Sequence, residues 1–511
     1  MRRSAFAFAV LTFALSTPPS TEAQGGCEQL KALSLPDTQI TLAETVPAGP
    51  FAQPGAPNQA NASQTPLILP AHCRVAALLK PSSDSVIKIE VWLPLTDWNG
   101  KFQAVGNGGW AGIISYGAMA SALRDYYATA STDTGHASTA GNPAADASFA
   151  LGHPEKVVDF AYRAVHEMTL RSKSIIGAFY KQPPRLSYWN GCSTGGRQGL
   201  MEAQRYPEDY DGIIAGAPAN WMLRLGSWLM QVEIQILKNR DSVIPPAKYP
   251  LLNEAVLAAC DSLDGVKDGL LEDPRMCKFD PSKLLCTGAD SSQCLTSAQV
   301  ESAKVVYGPL KAKDGSLFFP GFERGSELGW RPVAGGPEPF GISLDGFKYI
   351  SHEDPNWDWH SFDLERDTAL MREKAGFVDA INPDLSAFKA RGGKLLLYHG
   401  WNDQLIPPEN TINYYSGVLA KMGPAQDNWM RLFMEPGMQH CAGGPGPNQF
   451  NAIGAMERWR ESGMAPGKII ASRVTNNRVD MTRPLCPYPQ VAKWTGTGNT
   501  NDAENFVCKK P

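Results

Sequence analysis

The stretch Leu186-Ser187-Tyr188-Trp189-Asn190-Gly191-Cys192-Ser193-Thr194-Gly195-Gly196-Arg197-Gln198 decides the fold class. Residues 186–189 read as a short β-strand, and residues 195–205 as a helix stopped by Pro207. Between them, Gly191-Cys192-Ser193-Thr194-Gly195 fits the pattern G-x-S-x-G and is the single match in the chain. A tight turn from strand to helix lifts a serine hydroxyl to the top of a sheet, and glycines keep side chains out of it. Ser193 is therefore the candidate nucleophile. A glycine-rich turn without chemistry would share the glycines, but the strand and helix on either side favour the functional reading. The Cys192 thiol occupies the wrong position in the turn to act as the nucleophile.

Outward from this motif the chain alternates strands and helices. Val86–Pro94 and Lys101–Val105 read as strands, the second running into the glycine loop Gly106-Asn107-Gly108-Gly109-Trp110-Ala111-Gly112. Residues 155–180 have helical periodicity, and Ile213–Ala217 is a short apolar strand. Residues 221–376 differ: they are rich in Gly and Pro, hold four of the ten cysteines and carry the aromatic stretch Trp357, Trp359 and Phe362. Strand patterns return at Lys394–His399 and Met430–Met434. Strands and helices on both sides of an unlike insert predict an α/β core, residues 24–220 and 377–511, interrupted by a lid at 221–376.

A serine nucleophile needs a base, and the base needs an orienting acid. In strand–turn–helix hydrolytic sites the chain order is serine, acid, histidine. Asp403 follows the 394–398 strand in His399-Gly400-Trp401-Asn402-Asp403. Of the eight histidines, His440 is the one that remains beyond it, in the loop Gly437–Gly444. His399 precedes the acid and is expected to pack at the strand end. If Ser193 and His440 meet, Cys192 and Cys441 must also lie close, so a Cys192–Cys441 disulfide is expected. The oxyanion donors are expected to be the backbone N–H of Thr194 and one from the glycine loop, Gly108 or Gly109, with Gly108 preferred.

Composition is consistent with this reading. The 511 residues are 43% hydrophobic and 19% charged, which suits a packed globular core. With 51 acidic against 47 basic residues there is no basic excess to neutralise phosphates, which argues against a nucleic-acid partner. Arg2 and Arg3, the apolar run Ala5–Leu15 and Thr21-Glu22-Ala23 read as a secretory signal, residues 1–23. No later stretch is long and apolar enough to span a bilayer. A secreted or periplasmic location makes the even cysteine count, from Cys27 to Cys508, a disulfide set. Asn61-Ala62-Ser63 is a glycosylation sequon in a eukaryotic source.

Taken together, Cys192-Ser193, Asp403 and His440-Cys441 resemble the paired Cys-Ser…Asp…His-Cys motif of the tannase and feruloyl esterase family, which includes the MHET hydrolases. Gly191–Gln198 and Tyr398–Asp403 also resemble family sequence. The resemblance covers essentially the whole chain after the leader. It implies a secreted serine carboxylic-ester hydrolase with an α/β-hydrolase fold and an inserted lid. It further implies the disulfides Cys27–Cys73, Cys192–Cys441, Cys260–Cys277, Cys286–Cys294 and Cys486–Cys508.

Cys260–Leu270 holds three carboxylates and two glycines. Hard oxygens in a flexible loop suit calcium, although the spacing is not that of an EF-hand, and a solvated acidic turn would read alike. The resemblance implies a structural Ca2+ held by Asp261, Asp264, Asp268 and the carbonyls of Val266 and Leu270. The expected substrates are aromatic esters, feruloyl first and galloyl second. A polyester-monomer activity is disfavoured because Thr194 stands where the relatives with that activity carry Glu. The rival classes are an inactive calcium-dependent carbohydrate-binding relative and a peptidase on the same fold.

Overall fold

The computed structural model describes residues 26–55, 67–138 and 142–511. The expected leader and the Asn61 sequon lie outside the described residues. A nine-stranded sheet organises the chain: β1 (Thr38–Val46), β2 (His72–Leu79), β3 (Ile87–Pro94), β4 (Lys101–Val105), β5 (Ala128–Thr132), β6 (Leu186–Cys192), β7 (Gly212–Gly216), β8 (Lys394–Gly400) and β9 (Met430–Glu435). Its spatial order is β1-β2-β3-β5-β4-β6-β7-β8-β9. The β1/β2, β2/β3 and β3/β5 pairs are antiparallel. From β5 to β9 every pair is parallel.

The parallel strands are short apolar runs because both of their faces are covered. On one face Phe102, Trp189, Ile213, Leu395 and Leu432 join a core cluster. On the other, Tyr188, Ile214, Leu396 and Phe433 pack with Met456 and Trp459 of helix Ala452–Ser462. Alternation of side chains across each strand assigns neighbouring residues to opposite clusters.

The expected helix over 155–180 is observed with a break. Pro154–Val158 and Ala164–Tyr180 are α-helical, and Asp159–Arg163 forms a wider π turn between them. Asp159 is fully buried there and accepts hydrogen bonds from Ser85 and Arg163, which ties the bulge to the sheet. Such bulges mark places where a side-chain demand overrides the regular ladder. Strands β1, β2 and β5 were not anticipated.

Residues between β7 and β8 form a body with little sheet and an apolar cluster of its own, which includes Trp228, Leu252, Phe319 and Trp330. A second cluster joins this lid to the core: Trp110 and Phe160 from the core meet Met222, Leu344, Phe347 and Met371. All ten cysteines are paired in the five expected disulfides.

Candidate active site

Ser193 lies directly after β6 and before helix Thr194–Arg205. Its backbone adopts φ 63° and ψ −125°, a left-handed conformation that is costly for a residue with a Cβ. Close packing holds it there. A Cβ on Gly191 would lie 2.5 Å from the carbonyl oxygen of Gly195, so the turn closes only with glycine at this position. The Ser193 N–H donates to the carbonyl of Gly216, and its own carbonyl accepts from Arg197 and Ala219.

Asp403 follows β8 and is fully buried. Its Oδ1 accepts the N–H groups of Leu405 at 2.8 Å and Ile406 at 2.9 Å. Its Oδ2 accepts from His440 Nδ1 at 2.7 Å and from His399 Nε2 at 3.0 Å. Burial pulls this carboxyl upward, but the His440 charge and the hydrogen bonds from both histidines outweigh it, and Asp403 sits far below the ordinary carboxylate range. It is an anion at every working pH.

His440 is in the loop after β9. Donation from Nδ1 to Asp403 assigns its proton to that nitrogen and leaves Nε2 as the basic one. Its backbone N–H donates to Gln404 Oε1 at 3.1 Å, so the Asp403 loop also holds the His440 loop. The Cys192–Cys441 disulfide ties the neighbours of Ser193 and His440 together with Cα atoms 5.9 Å apart. Ser193 and His440 line one cavity.

His399 packs at the strand end as expected, fully buried. Its hydrogen bond to Asp403 was not anticipated. Its Nε2 also faces the Ile406 carbonyl at 3.1 Å, and its Nδ1 faces Thr411 Oγ1 at 2.7 Å. A ring that donates from Nε2 and accepts at Nδ1 satisfies all three contacts. The pattern His399-x-x-x-Asp403 was the available signal.

Thr194 opens the helix, so its N–H has no partner within the helix. Its Oγ1 donates to the Gly109 carbonyl at 2.7 Å, which binds the glycine loop to the nucleophile turn. Gly109 and Thr194 line the cavity, whereas Gly108 is exposed at the outer edge of the loop. Beyond them the wall is apolar, built from Met222, Leu225, Leu229, Phe340, Phe347 and Met371. Among the described residues no Lys, Arg, Asp or Glu lines this cavity. Ser343 does line it, and its buried hydroxyl has no hydrogen-bond partner.

A family model described as tannase and feruloyl esterase matches residues 73–509. The chain belongs to this family. Members of the family are carboxylic ester hydrolases, and so is this chain. It is 38% identical to an uncharacterized esterase of Xanthomonas campestris, over 96% of this chain and 92% of the relative. It is 34% identical to a probable feruloyl esterase B-2 of Aspergillus terreus, over 93% of each. The crystal structure of feruloyl esterase B from Aspergillus oryzae superposes with a TM-score of 0.86 at 32% identity, covering 94% of this chain and 99% of that one. The tannin acyl hydrolase of Aspergillus niger shares the fold, with a TM-score of 0.74 at 23% identity over 93% and 92% of the two chains. The α/β-hydrolase fold is thus shared with these solved structures.

The acidic loop lies elsewhere, in the lid. Asp261 accepts the Gly269 N–H at 3.0 Å, Asp264 the Val266 N–H at 2.9 Å and Asp268 the Leu270 N–H at 3.1 Å. Asp268 also pairs with the buried guanidinium of Arg483. The three carboxylates do not all come within 4.8 Å of one another. Burial pushes the Asp264 carboxyl up to about 6, and the charges of Asp268 and Asp261 add to the rise. The oxygen-only donor set fits a hard cation. Among the described residues no helix is long and apolar enough to cross a membrane.

Proposed function

We propose that the chain is a secreted feruloyl esterase whose catalytic residues are Ser193, His440 and Asp403. The observation that carries this reading is a strained serine sharing a cavity with a histidine whose other nitrogen is held by a buried aspartate. In the first step His440 Nε2 takes the Ser193 proton as Oγ attacks the ester carbonyl. Asp403 holds the imidazole in the required tautomer and stabilises its charged form. The oxyanion is met by the Thr194 N–H and by an N–H of the Gly108–Gly109 turn. His440 returns the proton to the departing alcohol, then activates water to release the acid from the acyl-enzyme.

The neutral apolar cavity supports a hydroxycinnamoyl group as the acyl part. A flat ring with a short unsaturated arm suits aromatic and aliphatic walls, and a phenolic substituent offers Ser343 its missing partner. A terephthaloyl group would bring a carboxylate to a wall without a counter-charge. A galloyl group brings three hydroxyls to a wall with one free polar side chain. Ser193→Ala should lower kcat by about 10⁴-fold or more while leaving the far-UV spectrum unchanged. Methyl ferulate should exceed methyl gallate and mono-hydroxyethyl terephthalate in kcat/KM. Near-normal turnover by the alanine variant would refute the nucleophile, and a preference for gallate would refute the acyl group.

Two further parts of the reading concern the whole protein. A leader at residues 1–23 directs it out of the cytoplasm, which is consistent with five disulfides. A structural Ca2+ is held by Asp261, Asp264 and Asp268 with the carbonyls of Val266 and Leu270, an oxygen-only set that suits this ion. A chelator should therefore lower the thermal midpoint while kcat/KM at low temperature stays level, and Asp264→Asn should reproduce that loss.

A further inference from the structure

Helix Thr194–Arg205 carries a second group of ionisable side chains in its last turn, on the side away from Ser193. Glu202 is 1% exposed, and neither carboxylate oxygen meets an N–H or O–H donor. Asp209, in the turn after the helix, is equally buried. Its Oδ2 accepts from His166 Nδ1 at 2.6 Å, and that imidazole stacks on Tyr206 with ring centroids 3.8 Å apart. One ligating atom from each of His166, Glu202 and Asp209 lies within 4.8 Å of the other two. Among the described residues one other such group exists, Cys286, Asp290 and Cys294, and its thiols are consumed by a disulfide.

The protein's own charges do not satisfy Glu202. Lys173 is the nearby cation, and it donates to the backbone carbonyl of Asp209. The C-terminal end of a helix is itself negative, so a carboxylate there is disfavoured and a cation is favoured.

We propose that His166, Glu202 and Asp209 form a binding site for a divalent transition-metal ion, with zinc as the fitting occupant. Zinc accepts mixed nitrogen and carboxylate ligands, and three protein ligands leave one position for water. The His166 side chain, 20% exposed, leaves a route for that water. Ligands about 2.0–2.1 Å from the ion lie about 3.4 Å apart in a tetrahedron, so the three groups need only small shifts. Calcium, which takes six to eight oxygens, does not suit the set. The ion would join helix Ala164–Tyr180 to the end of the nucleophile helix. It would sit about 12 Å along that helix from Thr194, too far to touch the substrate.

The alternative occupant is a proton shared by Glu202 and Asp209. To decide between them, the whole purified chain is stripped with EDTA, returned to calcium, exposed to Zn2+ and passed through gel filtration. Wild type should retain about one zinc per chain, and Glu202→Gln and His166→Phe should retain none while keeping the wild-type rate on methyl ferulate. Co2+ in place of zinc should give visible d–d absorption in wild type and not in His166→Phe. If wild type retains no zinc, or if both variants retain as much as wild type, the proposal is wrong. His166 lies at the surface, so its variant decides the matter should Glu202→Gln fail to fold.

Discussion

The nucleophile helix meets an imidazole–aspartate pair at each end. At its start, through Ser193, stands His440 on Asp403 at 2.7 Å; in its last turn stands His166 on Asp209 at 2.6 Å. Both aspartates are buried. Their surroundings differ in the number of donors. Asp403 receives two backbone N–H groups and two imidazoles, and its anion is stabilised despite burial. At the other end a second carboxylate, Glu202, lies beside the pair with no donor, and it is driven toward its neutral form. Burial sets the size of the stakes, and the supply of donors sets the sign.

The contrast can be broken most severely at the satisfied end. Asp403→Asn keeps the shape but removes the charge and the tautomer control of His440, and kcat should fall about 10⁴-fold. Steady-state kinetics on methyl ferulate check this, and a loss below tenfold would show that His440 works without the acid.

A smaller effect is expected from the clamp between the two loops. Cys192→Ala with Cys441→Ala leaves each catalytic group its hydrogen bonds but frees base from nucleophile, and kcat should fall about 10- to 100-fold. The loss should appear at temperatures where circular dichroism still reports a folded chain. Full activity in the double variant would show that packing alone aligns the site.

The smallest effect belongs to the unsatisfied end. In metal-free protein, Glu202→Gln removes a group whose pKa is raised on folding. Wild type loses stability relative to this variant as pH rises above the unfolded-state value near 4.5, and the two converge below it. Near pH 7 the variant should be more stable by about 1 kcal/mol. Denaturant titrations at pH 4 and pH 7 measure the gap, and a gap that is constant with pH would show that Glu202 keeps its ordinary titration.

Much of the site was legible because its signals are local or follow from chain order. The turn at Gly191–Gly195 sits between a strand and a helix as read, and the order of serine, acid and histidine left His440 as the candidate base once Asp403 was chosen. The edge of the sheet was less legible. β1 and β2 are antiparallel strands with mixed burial along their length, and their alternation is weaker than the apolar runs of β6 to β9. The π turn at Asp159 was hidden because the partners of its buried carboxylate include Ser85, 74 positions away. In the glycine loop the sequence did not show which glycine borders the cavity; Gly109 does, and its carbonyl accepts from Thr194 Oγ1.

The amino-acid sequence by itself pointed to the elements whose signals are local: the strand–serine–helix turn, an aspartate after β8, a histidine after β9 and the cysteines beside that serine and that histidine. Tertiary structure alone decided what surrounds these groups. The acyl cavity is apolar and uncharged because helix Met222–Leu237 and residues 340–371 fold over the sheet from a distant part of the chain. His399 supports Asp403 because Thr411 and the turn at Ile406 orient its ring. Glu202 reads as an ordinary polar residue of a helix until His166, 36 positions earlier, and Asp209 close around it. Conformation is set by neighbours in the chain, whereas dielectric and donor supply are set by neighbours in space.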